Sequence, residues 1–82
     1  MNNINLIVAN RIKQSRKKLR ITGTEMSREL GISQQHYSRI ENGHTKITLE
    51  YLINIASILG VTPQTLLSEA DFPNKTMIKE NR

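Results

Sequence analysis

The chain has 82 residues, no cysteine and a net charge of +5, from 12 Lys and Arg against 7 Asp and Glu. This is the length of one small domain, able to bury only about 60–65% of its unfolded surface, with no disulfide framework or thiolate metal site. No run of about 18 apolar residues is present to span a membrane, and the positive excess favours a polyanionic partner.

The first predicted element is a helix between Asn5 and Leu19. Val8, Ile12 and Leu19 fall near one face, with Ser15 or Arg16 in the missing turn. The apolar stretch Leu6–Ala9 is too short for a secretory signal, and basic residues follow it rather than precede it. The expected location is therefore the cytosol or nucleoid. Thr22 and Glu25 have capping-box spacing and open a short second helix with Met26 and Leu30 pointing inward. Gly31 allows the turn that follows. Ser33 caps a third helix that runs to about Glu41 and ends at Asn42-Gly43.

Thr48 caps the fourth helix. Leu49, Leu52, Ala56 and Leu59 form its stripe, widened by Ile53, Ile55 and Ile58, and Gly60 stops it. Thr62-Pro63 is an N-cap followed by an N1 proline for a short last helix carrying Leu66 and Leu67. From Asp71 the chain reads as a tail in which Phe72, Met77 and Ile78 are candidates for docking on the body or on a partner chain. The fold class is all-α, with five helices.

Charge is distributed unevenly. Residues 1–20 carry +6, residues 21–46 are neutral, residues 47–70 carry −2 and residues 71–82 carry +1. The first helix is thus the basic one, which fits either a solvated face or a phosphate-contacting one.

The informative segment is Thr22–Asn42. Two short helices separated by so brief a turn must cross steeply, as in a helix-turn-helix. On a wheel at 100° per residue with Gln34 at the origin, Tyr37 and Ile40 set a buried direction near about 270°. Gln35, Ser38, Arg39 and Asn42 then face outward, Gln34 projects from the first turn, and His36 is lateral. This outward face holds no acid. A Gln amide offers a donor and an acceptor side by side, matching adenine N6/N7, and Arg matches guanine O6/N7.

The run Thr22–Gly43 resembles the helix-turn-helix of the Cro/C1-type (XRE) DNA-binding proteins. The similarity extends through Thr48–Leu67 and covers about residues 5–68. It is carried jointly by Gly31, Ser33, Ile40-Glu41-Asn42-Gly43 and Leu59-Gly60-Val61. The resemblance implies a five-helix lambda-repressor-like DNA-binding domain over residues 1–70, with the tail at 71–82. It also implies a sequence-specific transcriptional regulator, a repressor or autoregulator, that binds a pseudo-palindrome on double-stranded DNA as a homodimer.

By the same resemblance, Gln34 and Gln35 match a glutamine pair that contacts bases, and Arg39 a third contacting position; Ser38 shares their face. Asn42, His44, Thr45 and Lys46 match a loop that contacts the DNA backbone. Arg11, on the first helix, is a further phosphate candidate. Arg16 and Glu41 match a buried ion pair, a structural alternative to Arg16 as a phosphate ligand. One departure stands out: the family usually has Gln at the start of the second helix, where this chain has Gly23. That change removes a side-chain brace and leaves the amides of Gly23 and Thr24 for a phosphate.

Other chemistries have little support. His36 and His44 lack companion ligands for a metal, Glu25 and Glu29 read as a solvated face, and no cofactor or enzymatic activity is expected. The alternative function is an antitoxin or other protein-binding module that neutralises a partner protein through the tail.

Overall fold

A computed structural model describes residues 3–67. Within them the chain forms five helices and no strand: α1 (Ile4–Lys18), α2 (Gly23–Leu30), α3 (Gln34–Glu41), α4 (Leu49–Leu59) and α5 (Pro63–Leu66). The proposed tail from Asp71, with Phe72, Met77 and Ile78, lies outside the described residues.

Each helix opens on a side chain that accepts an otherwise orphaned first-turn amide. The caps are Asn3, Thr22, Ser33, Thr48 and Thr62. At α2 the capping box is complete: Glu25 N–H donates to Thr22 Oγ1 at 3.0 Å, and Thr22 N–H donates back to Glu25 Oε1 at 2.8 Å. The ends of α1 to α4 also share a chemistry. A residue in the left-handed region follows each, and the next amide reaches back five residues, as from Ile32 N–H to Ser27 O at 3.0 Å. Glycine takes that position after α2, α3 and α4, whereas Arg20 takes it after α1 with φ of 61°.

One core joins all five helices. Val8 and Ile12 of α1 meet Met26 of α2, Tyr37 and Ile40 of α3, Leu52, Ile55, Ala56 and Leu59 of α4, and Leu66 of α5. Leu30 and Ile58 pack half-buried against this cluster. A fully buried Ile, Leu or Met contributes roughly 1.5–3 kcal/mol over its exposed state, and Ile12, Met26, Ile40, Ile55 and Leu66 are all in that condition.

Leu19, Leu49 and Ile53, assigned to buried stripes by periodicity, are exposed instead. Leu19 is 51% exposed because α1 stops at Lys18 and the chain turns away at Arg20. Leu49 is 72% exposed because it sits in the first turn of α4, beyond the reach of the neighbouring helices. Of the isoleucines that widen the α4 stripe, Ile55 is core and Ile53 is exposed. No helix among the described residues is long and apolar enough to cross a membrane.

Candidate nucleic-acid interface

The helix α3 is held by its inward residues. Tyr37 and Ile40 are buried in the core, and Glu41 is buried beside them. Arg16 of α1 meets Glu41 in two hydrogen bonds, Nε to Oε2 at 2.8 Å and Nη2 to Oε1 at 3.0 Å. Its Nη1 donates to the carbonyl of Ile21 at 2.8 Å, and the Tyr37 hydroxyl donates to Glu41 Oε2. Three donors therefore converge on one carboxylate, and one guanidinium ties α1, α3 and the α1–α2 connection together. The bond to Glu41 holds the Arg16 guanidinium in its charged form more firmly than usual. Burial, with the Glu41 carboxylate beside it, pushes the Tyr37 phenol up, so it remains a donor.

With its inner side fixed, α3 presents Gln34, Gln35, Ser38, Arg39 and, at its end, Asn42 to solvent. None is acidic, and the one acid of this helix, Glu41, is engaged inside. The Gln34 amide Nε2 donates to Thr24 Oγ1 in the first turn of α2. A brace between the two helices thus exists despite Gly23, through Thr24 and one residue later than the family pattern places it. A Cβ at Gly23 would lie 3.9 Å from the Tyr37 ring, an ordinary contact, so space does not demand glycine there. The amides of Gly23 and Thr24 open α2 and have no acceptor within it. They share that helix end with the Glu25 carboxylate, which is turned back onto Thr22.

The loop after α3 continues the same surface. Asn42 accepts from Lys13 Nζ at 3.1 Å through Oδ1 and donates to Ser38 Oγ at 3.2 Å through Nδ2. Gly43 has φ of 78°, and a Cβ there would stand 2.6 Å from Leu6 Cδ1. The bare backbone at this point lets α1 lie close over the loop. His44 and Lys46 are exposed, and Thr45 is half-buried. His36 is half-buried edge-on to the Tyr51 ring, with centroids 5.7 Å apart, away from the outward residues. No group of three or more His, Cys, Asp or Glu able to hold a metal occurs among the described residues.

The structure thus gathers Gln34, Gln35, Ser38, Arg39 and Asn42 on one outward surface, with Thr24 bonded to Gln34. Arg11 is half-buried on α1. At 100° per residue it lies about 160° around that helix from Lys13, the residue that reaches Asn42. Lys13 is therefore an α1 cation that adjoins this surface, and sequence reasoning did not single it out. Asn5 was also missed. Its amide brackets the loop, Nδ2 donating to Thr45 O at 3.2 Å and Oδ1 accepting from Ile47 N–H at 2.7 Å. The available signal was its place: Asn5 stands at helical spacing from Val8, Ala9 and Ile12, so a polar group points where the helix otherwise buries apolar ones.

Two short helices crossing over a three-residue turn, the second with a buried inner side and an acid-free outer one, form a helix-turn-helix head. The chain matches the helix-turn-helix family over residues 12–66 and belongs to it, in its Cro/C1-type branch. This is a family of DNA-binding transcriptional regulators and not of enzymes. Among curated proteins, the chain is 32% identical over 66 residues to the HTH-type transcriptional regulator SinR of Bacillus licheniformis, a match covering 79% of this chain and 60% of that protein. It is 31% identical over 72 residues to the control protein C.MunI of Mycoplasma sp, covering 87% of this chain and 97% of the relative. The chain therefore spans less than two thirds of the regulator's length and nearly all of the control protein's. No solved structure matches at a comparable level of significance.

Proposed function

We propose that this chain regulates transcription by binding a pseudo-palindromic operator as a homodimer, each copy placing the start of α3 in a major groove. The acid-free outward face of α3, fixed from behind by the Arg16–Glu41–Tyr37 network, carries this reading. Gln34, Gln35, Ser38 and Arg39 read base edges. The amides of Gly23 and Thr24, with Lys13, Asn42, His44, Thr45 and Lys46, set the register on phosphates. The names of the two relatives, a transcriptional regulator and a control protein, support the regulatory role.

The proposed dimer uses the apolar side chains left exposed near α4 and α5. Leu49 and Ile53 share one face of α4 at i,i+4 spacing and are both exposed. Ile55 and Leu66 are committed to the core and take no part.

The test is to select bound sites from random duplex DNA and measure affinity against salt. A shared pseudo-palindrome with half-sites about 34 Å apart is expected. Gln34→Ala should cost about 1–3 kcal/mol on that operator alone. Lys46→Ala should weaken all duplexes alike and lower the salt slope by about 1. Absence of any effect from both substitutions, on any DNA, overturns the assignment.

A further inference from the structure

We infer that Asn5 is a positioning residue for DNA binding, which fixes the Thr45–Ile47 backbone so that Thr45 and Lys46 meet phosphates; this rests on the phosphate role proposed for that loop. Asn5 lies in the first turn of α1 and is half-buried, 40 and 42 positions before the residues it holds. Its two bonds, to Thr45 O at 3.2 Å and from Ile47 N–H at 2.7 Å, fall on either side of Lys46. The segment between Glu41 and the cap of α4 at Thr48 has no helix to satisfy its own backbone. One planar amide, donor and acceptor side by side, replaces the ladder that a regular element would supply.

The same turn of α1 also fixes the start of the loop, where Leu6 lies over the bare backbone of Gly43. Asn5 itself points with Val8, Ala9 and Ile12 toward the body of the protein, so its part in binding is indirect. A loop ordered before DNA arrives loses less conformational freedom on binding than one that must be ordered by the phosphates.

The experiment compares the intact chain, Asn5→Ala, Lys46→Ala and the double variant on the selected operator and on an unrelated duplex, across a salt series. Asn5→Ala is expected to weaken binding to both duplexes about tenfold. It should also lower the slope of log K against log salt by about 1, although no charge is removed. Lys46→Ala should add little further loss once Asn5 is gone. Thermal melts of each variant establish that it is folded at the assay temperature. Should Asn5→Ala not fold, Asn5→Ser, whose short hydroxyl does not reach both backbone groups, is expected to give the same slope change. An unchanged slope in a folded Asn5 variant, or losses that simply multiply with that of Lys46→Ala, overturns the inference and makes Asn5 a stability residue only. If Lys46→Ala itself leaves the slope unchanged, the phosphate role of the loop fails, and the inference with it.

Discussion

Glu41→Ala should cost this domain about 3–5 kcal/mol, the range for removing one member of a buried ion pair. The magnitude follows from what the deletion strands. Three donors converge on the Glu41 carboxylate, two from Arg16 and one from Tyr37. Side-chain exposures of 14% for Arg16 and 8% for Glu41 keep water from replacing them. After truncation the guanidinium retains the Ile21 carbonyl at 2.8 Å, and the Tyr37 hydroxyl loses its acceptor. A chain of this size is stable by about 4–12 kcal/mol, so this one change removes a large part of the total. At about 4–8 °C per kcal/mol the melting temperature should fall by about 12–40 °C.

Urea unfolding followed by far-ultraviolet circular dichroism measures the loss. The informative control is the apolar replacement Arg16→Met with Tyr37→Phe and Glu41→Leu, which takes out both charges and the hydroxyl that would otherwise be stranded, and should recover most of the stability lost in Glu41→Ala. Tyr37→Phe, which removes one donor of three to a charged acceptor, should cost about 1.5–3 kcal/mol. If Glu41→Ala costs under about 1 kcal/mol, the pair behaves as an exposed one, and the claim that it fixes α3 from behind is refuted.

Two further outcomes are expected. Gly43→Ala and Gly31→Ala both place a Cβ on a left-handed residue, with φ of 78° and 71°, and each should cost about 1–2 kcal/mol; the Leu6 Cδ1 that a Cβ at Gly43 would meet is the end of an exposed side chain that can turn aside. In denaturant melts Leu6→Ala should change the cost of Gly43→Ala little, and a cost at Gly43 well above that at Gly31 would contradict this reading. The Glu25 carboxyl is held below its usual value of 4.5, first by the Thr22 backbone N–H and then by the Thr22 hydroxyl. A depressed carboxyl contributes stability above its unfolded value that is lost as pH falls through the folded one. The advantage of wild type over Glu25→Gln should therefore be constant above about pH 4.5 and shrink as pH falls below it, by thermal melts from pH 7 to 3; an advantage that did not shrink at all over that range would contradict this.

The helix starts were legible because capping is local chemistry. Thr22 with Glu25, and Ser33, Thr48 and Thr62, each act within three residues, and the chain order shows both partners. Periodicity was less reliable at the edges of a helix, since it carries no account of what covers the first or last turn. Leu19 and Leu49 sit at such edges and are exposed. The end of α1 was hard to place for a different reason: Arg20, not glycine, takes the left-handed position. Of the candidate interface, the outward face of α3 could be read from 100° spacing, because its inward residues are so strongly apolar. The bonds that connect this face to the rest, Gln34 to Thr24, Lys13 to Asn42 and Asn5 to the loop, span 10 to 42 positions. Distances of that kind leave no periodic trace.

Two of the long-range partners nevertheless announce themselves in α1 by one rule. Asn5 and Arg16 both stand at helical spacing in the stripe that contains Val8, Ala9 and Ile12. A polar group in a buried direction has a desolvation penalty that only a matched partner offsets. An amide there calls for a donor and an acceptor, and it meets the Thr45 carbonyl and the Ile47 amide. A guanidinium calls for a carboxylate, and it meets Glu41. The chemistry of each interruption thus predicts the kind of partner, though not its position. Both partners belong to the α3–loop segment, so α1 acts as the template against which that segment is set. The basic helix, whose charge alone fits either a solvated face or a phosphate-contacting one, thus holds that segment from behind through Asn5 and Arg16.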